Sequence, residues 1–284
     1  MDLQGVLEMN AASRKRVREV QRNAHRKKQR QYRIRRIGAL IILVLLLILI
    51  IAGIRGCNKN TTAKGPVVTV LPAITIPPAT KAPTANAVGN VKPSDVDQSY
   101  FADSCFVGNS VIESMEIYEL VDNADYFARI GLNVTDAAKL AMTNSNIPVI
   151  DELNNDRQYK RIFMMFGENE LNWPNIETFK SAYTSLIKKA KQYQPSAQIY
   201  LLSVTPISKK ADSEQTEGVS KSAILKFNQY IEEIAKTNNV TYVDLYTALA
   251  DKDGFLPEGV ATDGIHFDKD YYTKCLVYIQ TNYQ

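Results

Sequence analysis

Ser104-Cys105-Phe106-Val107-Gly108-Asn109-Ser110 is a short, mostly apolar segment that ends in Gly-x-Ser. An apolar run of strand length that ends in glycine and a small polar residue predicts a buried strand that breaks into a tight turn. The residues from Val111 onward predict a helix. Such a joint exposes the hydroxyl of Ser110 beside the unpaired N–H groups of a helix N-terminus, which stabilise an anion. Ser110 is therefore a candidate nucleophile.

Apolar runs of strand length alternate with amphipathic helices along the rest of the chain. The predicted strands are Ser104–Val107, Tyr126–Ile130, Arg161–Phe166, Gln198–Val204 and Thr241–Leu245. The predicted helices are Val111–Leu120, Thr135–Thr143, Ile176–Gln192, Ser220–Thr237 and Lys269–Gln280. Because the strands are apolar on both faces, they predict a parallel sheet covered by helices on both sides. The predicted fold class is α/β, a three-layer α/β/α domain over residues 98–284.

Polar residues follow the C-terminal ends of the predicted strands, where parallel sheets collect functional groups. His266 is the one histidine of the predicted domain, since His25 lies in the N-terminal tail. Asp263, three residues before His266, can reach the imidazole and fix its tautomer. Asn169 can donate to a developing oxyanion, and the N–H of Gly131 can face the same charge. Both residue types are also common in ordinary turns.

Four blocks of this segment, in this order, resemble the SGNH hydrolases, also called GDSL-like lipases/acylhydrolases. The blocks are Phe106-Val107-Gly108-Asn109-Ser110, Gly131, Gly167-Glu168-Asn169-Glu170 and Asp263-Gly264-Ile265-His266. The resemblance implies a flavodoxin-like fold and a serine esterase that needs neither a metal nor a cofactor. It implies Ser110 as the nucleophile, His266 as the general base and acid, and Asp263 as the residue that orients His266. It also implies an oxyanion hole made by the backbone N–H groups of Ser110 and Gly131 and by the side chain of Asn169.

The nucleophile block departs from the family at one position, because Asn109 stands where the family has aspartate. Asparagine is nearly isosteric with aspartate and keeps turn hydrogen bonds, but it removes a charge next to the nucleophile. Since the other residues of the triad and the oxyanion hole are all present, we expect a lowered activity or an altered pH profile rather than an inactive site.

The resemblance also suggests a substrate. Family members with an outward-facing, membrane-tethered domain often act on acylated glycans, so the expected substrate is a small ester, above all acetyl, on a cell-surface or extracellular polysaccharide. Trp173, the single tryptophan of the chain, is placed to stack on a sugar ring or, equally, to cover the core. Two alternatives stay open. One is transfer of the acyl group onto a wall glycan, and the other is a catalytically weak glycan-binding or scaffold protein.

The N-terminal third has a different composition. Residues 1–36 carry 12 Lys and Arg against 3 acids and predict a basic cytoplasmic tail. Residues 37–54 are 18 residues without a charge, which at ~1.5 Å per residue can span a hydrocarbon layer of ~30 Å. The positive charge before this span places the N-terminus inside and the domain outside the plasma membrane, on a single-pass signal anchor. Residues 55–97, rich in Pro, Thr and Ala, predict an extended linker.

The charge of the predicted domain disfavours nucleic acid as a partner. Residues 98–284 carry 17 Lys and Arg against 25 acids, a net charge of −8, although the whole chain has +4. An acidic domain repels a phosphate backbone. Cys105 and Cys275 show no metal-ligand spacing, and the sequence leaves open whether they pair or remain buried thiols. It does not indicate an oligomeric state.

Overall fold

The computed structural model describes residues 89–215, 218–261 and 263–283. The predicted tail 1–36, the predicted span 37–54 and the linker up to residue 88 lie outside these residues. Within the described part of the chain, no helix is both long enough and apolar enough to cross a membrane.

A parallel sheet of five strands forms the centre of the domain, in the order β2-β1-β3-β4-β5. The strands are β1 Ser104–Gly108, β2 Asp125–Ala128, β3 Arg161–Met165, β4 Gln198–Leu202 and β5 Thr241–Val243. This is the flavodoxin-like order, in which the direction of winding reverses between β1 and β3. A crevice opens at that point beyond the carboxyl ends of the strands, and ligands bind there in such sheets.

Helices cover both faces of the sheet, as the two-sided apolar strands predict. The helices are α1 Gln98–Phe101, α2 Ser110–Ile117, α3 Ile176–Tyr193, α4 Lys209–Glu214, α5 Lys221–Thr237, α6 Leu245–Leu249 and α7 Lys269–Asn282. The core on one face holds α3 and α5, and the core on the other holds α2, α6 and α7. Successive strand residues alternate between these cores, so Cys105 faces the first and Phe106 the second. The predicted three-layer α/β/α fold is confirmed.

The two cysteines of the domain pack on opposite faces of the sheet. Cys105 belongs to the core under α3 and α5, whereas Cys275 of α7 belongs to the other core. Both are buried free thiols. Cys105 and Cys275 therefore do not pair, and each packs in its core as a separate apolar side chain.

The predicted helix Thr135–Thr143 is wrong, because this segment consists of turns. The side chain of Asn133 accepts hydrogen bonds from the backbone N–H groups of Thr135 and Asp136 and starts the first turn. The chain then straightens to form an isolated bridge between Ala141 and Pro148. Tertiary hydrogen bonds of this bridge segment compete with the backbone bonds of a regular helix.

The described chain enters the domain far from the carboxyl ends of the strands. Gln280, near the end of α7, donates to the backbone oxygen of Asp95 and accepts from the N–H of Asp97. Val96 between them is buried in the core. Residues 93–97 of the predicted linker thus pack on the domain. Since α7 begins just after His266 and rises ~1.5 Å per residue, this point lies ~15–20 Å from the histidine.

Candidate active site

Ser110 stands at the joint between β1 and α2. Asn109 caps the helix, because its side-chain oxygen accepts a hydrogen bond from the N–H of Val111 at 3.1 Å. Ser110 is the first helical residue and is only 8% exposed. Gly108 permits the close approach of β1 to β3, since a Cβ there would lie 2.5 Å from the backbone oxygen of Met165. A short strand, a fixed turn and a capped helix together hold the hydroxyl of Ser110 in place.

His266 and Asp263 lie in the loop before α7. Gly264 has a positive φ of 83°, and a Cβ there would lie 2.6 Å from the Oγ of Ser208, so only glycine fits this turn. Asp263 Oδ1 accepts from the backbone N–H groups of Ile265 at 3.0 Å and His266 at 2.8 Å. The aspartate therefore shapes the turn that carries the histidine.

A continuous chain of hydrogen bonds links the three side chains. Asp263 Oδ2 lies 2.8 Å from Nδ1 of His266, and Nε2 of His266 lies 2.8 Å from Oγ of Ser110. An acceptor at Nδ1 favours the tautomer with the proton on Nδ1, which leaves the lone pair of Nε2 directed at the serine hydroxyl. The structure thus brings together Ser110, His266 and Asp263 in the geometry of a proton relay.

The electrostatics of the pair are typical of such a relay. Burial alone would raise the pKa of Asp263, but the hydrogen bonds from the His266 ring and from two backbone N–H groups hold its pKa well below the ordinary value. The hydrogen bond to Asp263 raises the pKa of His266 above 6.5, desolvation opposes this, and the negative charges of Glu168 and Asp263 add to the increase. The imidazole is therefore a stronger base than a free histidine.

The two predicted oxyanion donors flank the same joint. The N–H of Arg129 donates to the backbone oxygen of Gly108 at 3.2 Å, so the segment that carries Gly131 runs beside the end of β1. The side chain of Asn169 donates to the backbone oxygen of Leu132 at 2.9 Å, which ties the turn after β3 to that segment. One side-chain N–H of Asn169 is used in this contact, and the amide group has a second one.

Glu170 links these two segments, and it is not among the site residues predicted from the sequence. Its carboxylate accepts from the N–H of Val134 at 2.7 Å and from the N–H of Gly167 at 3.0 Å. The side chain is fully buried, and burial raises the pKa of Glu170 to about 7, while the two backbone hydrogen bonds limit the increase. One buried carboxyl thereby fixes the relative position of the Gly131 segment and the Asn169 turn.

Glu168 is a second acid that sequence reasoning missed. It is half-buried after β3, and its Oε2 accepts from the side-chain amide of Asn109 at 3.4 Å. Burial raises the pKa of Glu168, while the charge of His266 and the hydrogen bond from Asn109 lower it. The signal in the sequence was the pair of glutamates around Asn169, because two acids directly after an apolar strand lie at the functional edge of the sheet.

Trp173 lies in the turn just beyond these acids. Its backbone N–H donates to the backbone oxygen of Glu170 at 2.9 Å, and its partly buried side chain packs against the core on the α3 face. Its contact with a sugar stays a prediction. Among the residues described by the structure, no cluster of His, Cys, Asp and Glu could hold a metal ion.

A parallel sheet covered by helices, with a hydrogen-bonded serine, histidine and aspartate beyond the carboxyl ends of its strands, is typical of serine hydrolases. The model of the GDSL-like Lipase/Acylhydrolase family matches residues 119–274, more than half of the 284 residues. The chain therefore belongs to this family and is a serine ester hydrolase. The match includes Gly131, Asn169, Asp263 and His266, whereas Ser110 lies just before it.

The chain is similar to solved structures at low sequence identity. A protein provisionally assigned as a platelet activating factor from Streptococcus pneumoniae is 19% identical, with 63% of this chain and 83% of that chain covered and a TM-score of 0.51. A GDSL-like lipase from Bacteroides thetaiotaomicron is 15% identical, with 69% and 91% covered and a TM-score of 0.47. The periplasmic domain of a lipopolysaccharide acetyltransferase from Salmonella ser. Paratyphi A is 16% identical, with 63% and 83% covered and a TM-score of 0.47. No curated protein matches the chain by sequence.

Proposed function

We propose that this protein is an SGNH-type serine esterase that removes small acyl groups, above all acetyl, from glycans at or beyond the cell surface. The observation that carries the proposal is the hydrogen-bonded chain from Asp263 through His266 to Ser110, with 2.8 Å on either side of the imidazole. Such a chain activates a serine, because the imidazole accepts the hydroxyl proton as the oxygen attacks.

The reaction proceeds through an acyl-enzyme. Nε2 of His266 takes the proton of Ser110 while Oγ forms a bond to the ester carbonyl carbon, and the carbonyl oxygen becomes an oxyanion. The N–H groups of Ser110 and Gly131 and the amide of Asn169 stabilise this charge, and loss of one such donor typically costs ~10²–10³ in rate. The C–O bond to the alcohol then breaks, and the imidazolium returns the proton to the alcohol. A water molecule then attacks the acyl carbon while Nε2 of His266 takes its proton. The bond to Oγ of Ser110 breaks, the imidazolium returns the proton to Oγ, and the acid is released.

The openness of the relay supports hydrolysis over transfer. The side chain of His266 is 34% exposed and that of Asp263 is 57% exposed. Water therefore reaches the imidazole that must activate it in the second half of the reaction. A transferase protects its acyl-enzyme from water, since hydrolysis of a reactive intermediate is the competing reaction.

The position at which the linker joins the domain supports a substrate on the side of the domain that faces away from the linker. Residues 93–97 pack on the end of α7 that is remote from His266, so the described chain joins the domain away from the edge of the sheet that carries Ser110. We further propose that residues 37–54 anchor the chain in the plasma membrane, with the N-terminus in the cytoplasm and the domain outside. Protease added to intact cells should then remove the domain, and protection of the domain would reverse this orientation.

The glycan specificity is assigned to Trp173. An aromatic ring at the border of a site provides a flat apolar face for a sugar ring. Replacement by alanine should raise KM for an O-acetylated polysaccharide and leave kcat/KM for p-nitrophenyl acetate within about twofold, because the small ester does not reach the ring. An equal loss on both substrates would assign Trp173 to the fold instead.

Acetate release from O-acetylated polysaccharide by the full chain tests the proposal. The parent protein should release acetate, the Ser110→Ala variant should not, and the Ser181→Ala variant should match the parent. Ser181 is an exposed serine on α3 and provides a matched control. If the parent is inactive on acetylated glycans but hydrolyses p-nitrophenyl acetate, the enzyme class stands and the glycan assignment fails.

A further inference from the structure

Asn109 has two roles in the structure, and they fix its orientation. Its oxygen accepts from the N–H of Val111 at 3.1 Å, so the amide nitrogen must face the other way. That nitrogen donates to Oε2 of Glu168 at 3.4 Å. The amide is buried, with only 1% of the residue exposed. An aspartate at this position would place a second carboxylate oxygen against Glu168.

Glu168 lies among the charges of the relay. Its carboxylate accepts from the side chain of Asn109, the residue directly before Ser110, and the hydroxyl of Ser110 lies 2.8 Å from Nε2 of His266. Burial raises the pKa of Glu168, and the charge of His266 lowers it. Among the residues that the structure describes, Asp263, Glu168 and the hydroxyl of Ser110 act on His266. Within this set, Asp263 is hydrogen-bonded to the imidazole, and Glu168 is held by Asn109.

We propose that Asn109 and Glu168 form a positioning pair, in which the Asn109 amide holds the Glu168 carboxylate beside His266 so that it supports the positive charge that the imidazole acquires during the reaction. The asparagine that departs from the family block is then the partner that Glu168 requires. The inference rests on the proposed function and adds a positioning residue to the same site.

If Asn109 and Glu168 form this pair, replacing Asn109 with the aspartate of the family block should lower activity. In the Asn109→Asp variant two carboxylates face each other, and two like charges in one half-buried site cannot both ionise freely. One of them takes up a proton, the hydrogen-bond pattern changes and the capped turn before Ser110 is disturbed. We expect kcat/KM to fall at least tenfold. The Asn109→Asp/Glu168→Gln double variant exchanges the amide and the carboxylate, and it should recover to within about threefold of the parent.

The titration of His266 tests the charge role without a substrate. Diethylpyrocarbonate modifies neutral imidazole, so the pH dependence of its reaction, followed by peptide mass spectrometry on the full chain, reports the pKa of each histidine separately. Glu168→Gln should lower the pKa of His266 by about half a unit to one unit, because a nearby opposite charge favours the imidazolium. The midpoint of the kcat/KM profile should move by the same amount, and His25 should titrate as in the parent.

The control is Glu177→Gln, the same change at an acid whose side chain is 77% exposed. It should leave both the His266 titration and the activity unchanged. An unchanged His266 titration in the Glu168→Gln variant would overturn the proposal, as would a failure of the double variant to recover. The titration is read without turnover, so it remains informative if Ser110→Ala shows that the proposed esterase function is wrong.

Discussion

Replacement of Asp263 by asparagine separates the role of this residue in the turn from its role in the relay. In the structure, Oδ1 of Asp263 accepts from the backbone N–H groups of Ile265 and His266, and Oδ2 faces Nδ1 of the imidazole. Asparagine keeps the oxygen that shapes the turn and places an NH₂ group against Nδ1. Nδ1 must then accept, so the proton moves to Nε2 and points at Ser110. The folded variant holds the wrong tautomer.

The magnitude follows from the hydrogen bond that is lost. A hydrogen bond to a charged group contributes ~1.5–3 kcal/mol. To react, the variant must form the other tautomer, which gives up this contribution and leaves two donors face to face, where water solvates them because the side chain at position 263 is 57% exposed. The barrier therefore rises by ~1.5–3 kcal/mol, which corresponds to a loss of ~10–10² in kcat.

The assay is p-nitrophenyl acetate hydrolysis by the full chain, with thermal unfolding measured on the same samples. Asp263→Asn should unfold near the temperature of the parent and lose kcat by the stated factor. Asp268→Asn is the matched control, because Asp268 caps α7 through the N–H of Tyr271 and asparagine caps a helix equally well. A folded Asp263→Asn variant with kcat within tenfold of the parent would refute the assignment of Asp263 as the residue that orients His266.

Three further predictions concern the surroundings of the triad. kcat/KM should rise with pH through a midpoint above 6.5, because His266 is the proposed base and its hydrogen bond to Asp263 raises its pKa; a profile that is flat from pH 5 to 8 would contradict this role. In the parent, the free energy of unfolding should fall by ~3 kcal/mol between pH 4.5 and 7, because the pKa of Glu170 is raised from 4.5 to about 7 in the folded protein and ionisation of this carboxyl destabilises the fold. Glu170→Gln should remove this fall. Urea titrations at both pH values measure the difference, and an equal pH dependence in parent and variant would count against the prediction. Gly108→Ala should lower stability by ~1–3 kcal/mol, because its Cβ would lie 2.5 Å from a backbone oxygen of β3; Gly89→Ala, with no atom within 4 Å of its Cβ, should leave the melting temperature unchanged.

The sheet was predictable because the local sequence of each strand is enough to identify it. β1 and β3 are short runs that are apolar on both faces, and this pattern depends little on the rest of the chain. The predicted strand Thr241–Leu245 extends too far, since Asp244 ends the strand and caps α6 through the N–H of Thr247. The short helix α6 was missed because its apolar residues continue the pattern of the strand.

The parts that were not predictable depend on distant partners. The segment after Gly131 has the composition of a helix, but Arg129 donates its side-chain N–H to the backbone oxygen of Ala141, and sequence spacing does not reveal this contact. Glu168 and Glu170 resemble surface acids until the fold buries them against backbone N–H groups and against Asn109. Ser110, His266 and Asp263 were found through motif order, whereas the residues that position them needed the structure.

Fluorophosphonate labelling of the full chain, mapped by peptide mass spectrometry, measures whether His266 activates Ser110. The reagent forms a stable bond only with an activated serine, so it reports the relay without any assumption about the ester. We expect rapid labelling at Ser110 in the parent and in Ser181→Ala, and loss of that label in His266→Ala. Labelling of Ser110 no faster than that of exposed serines, or equal labelling without His266, would contradict this activation.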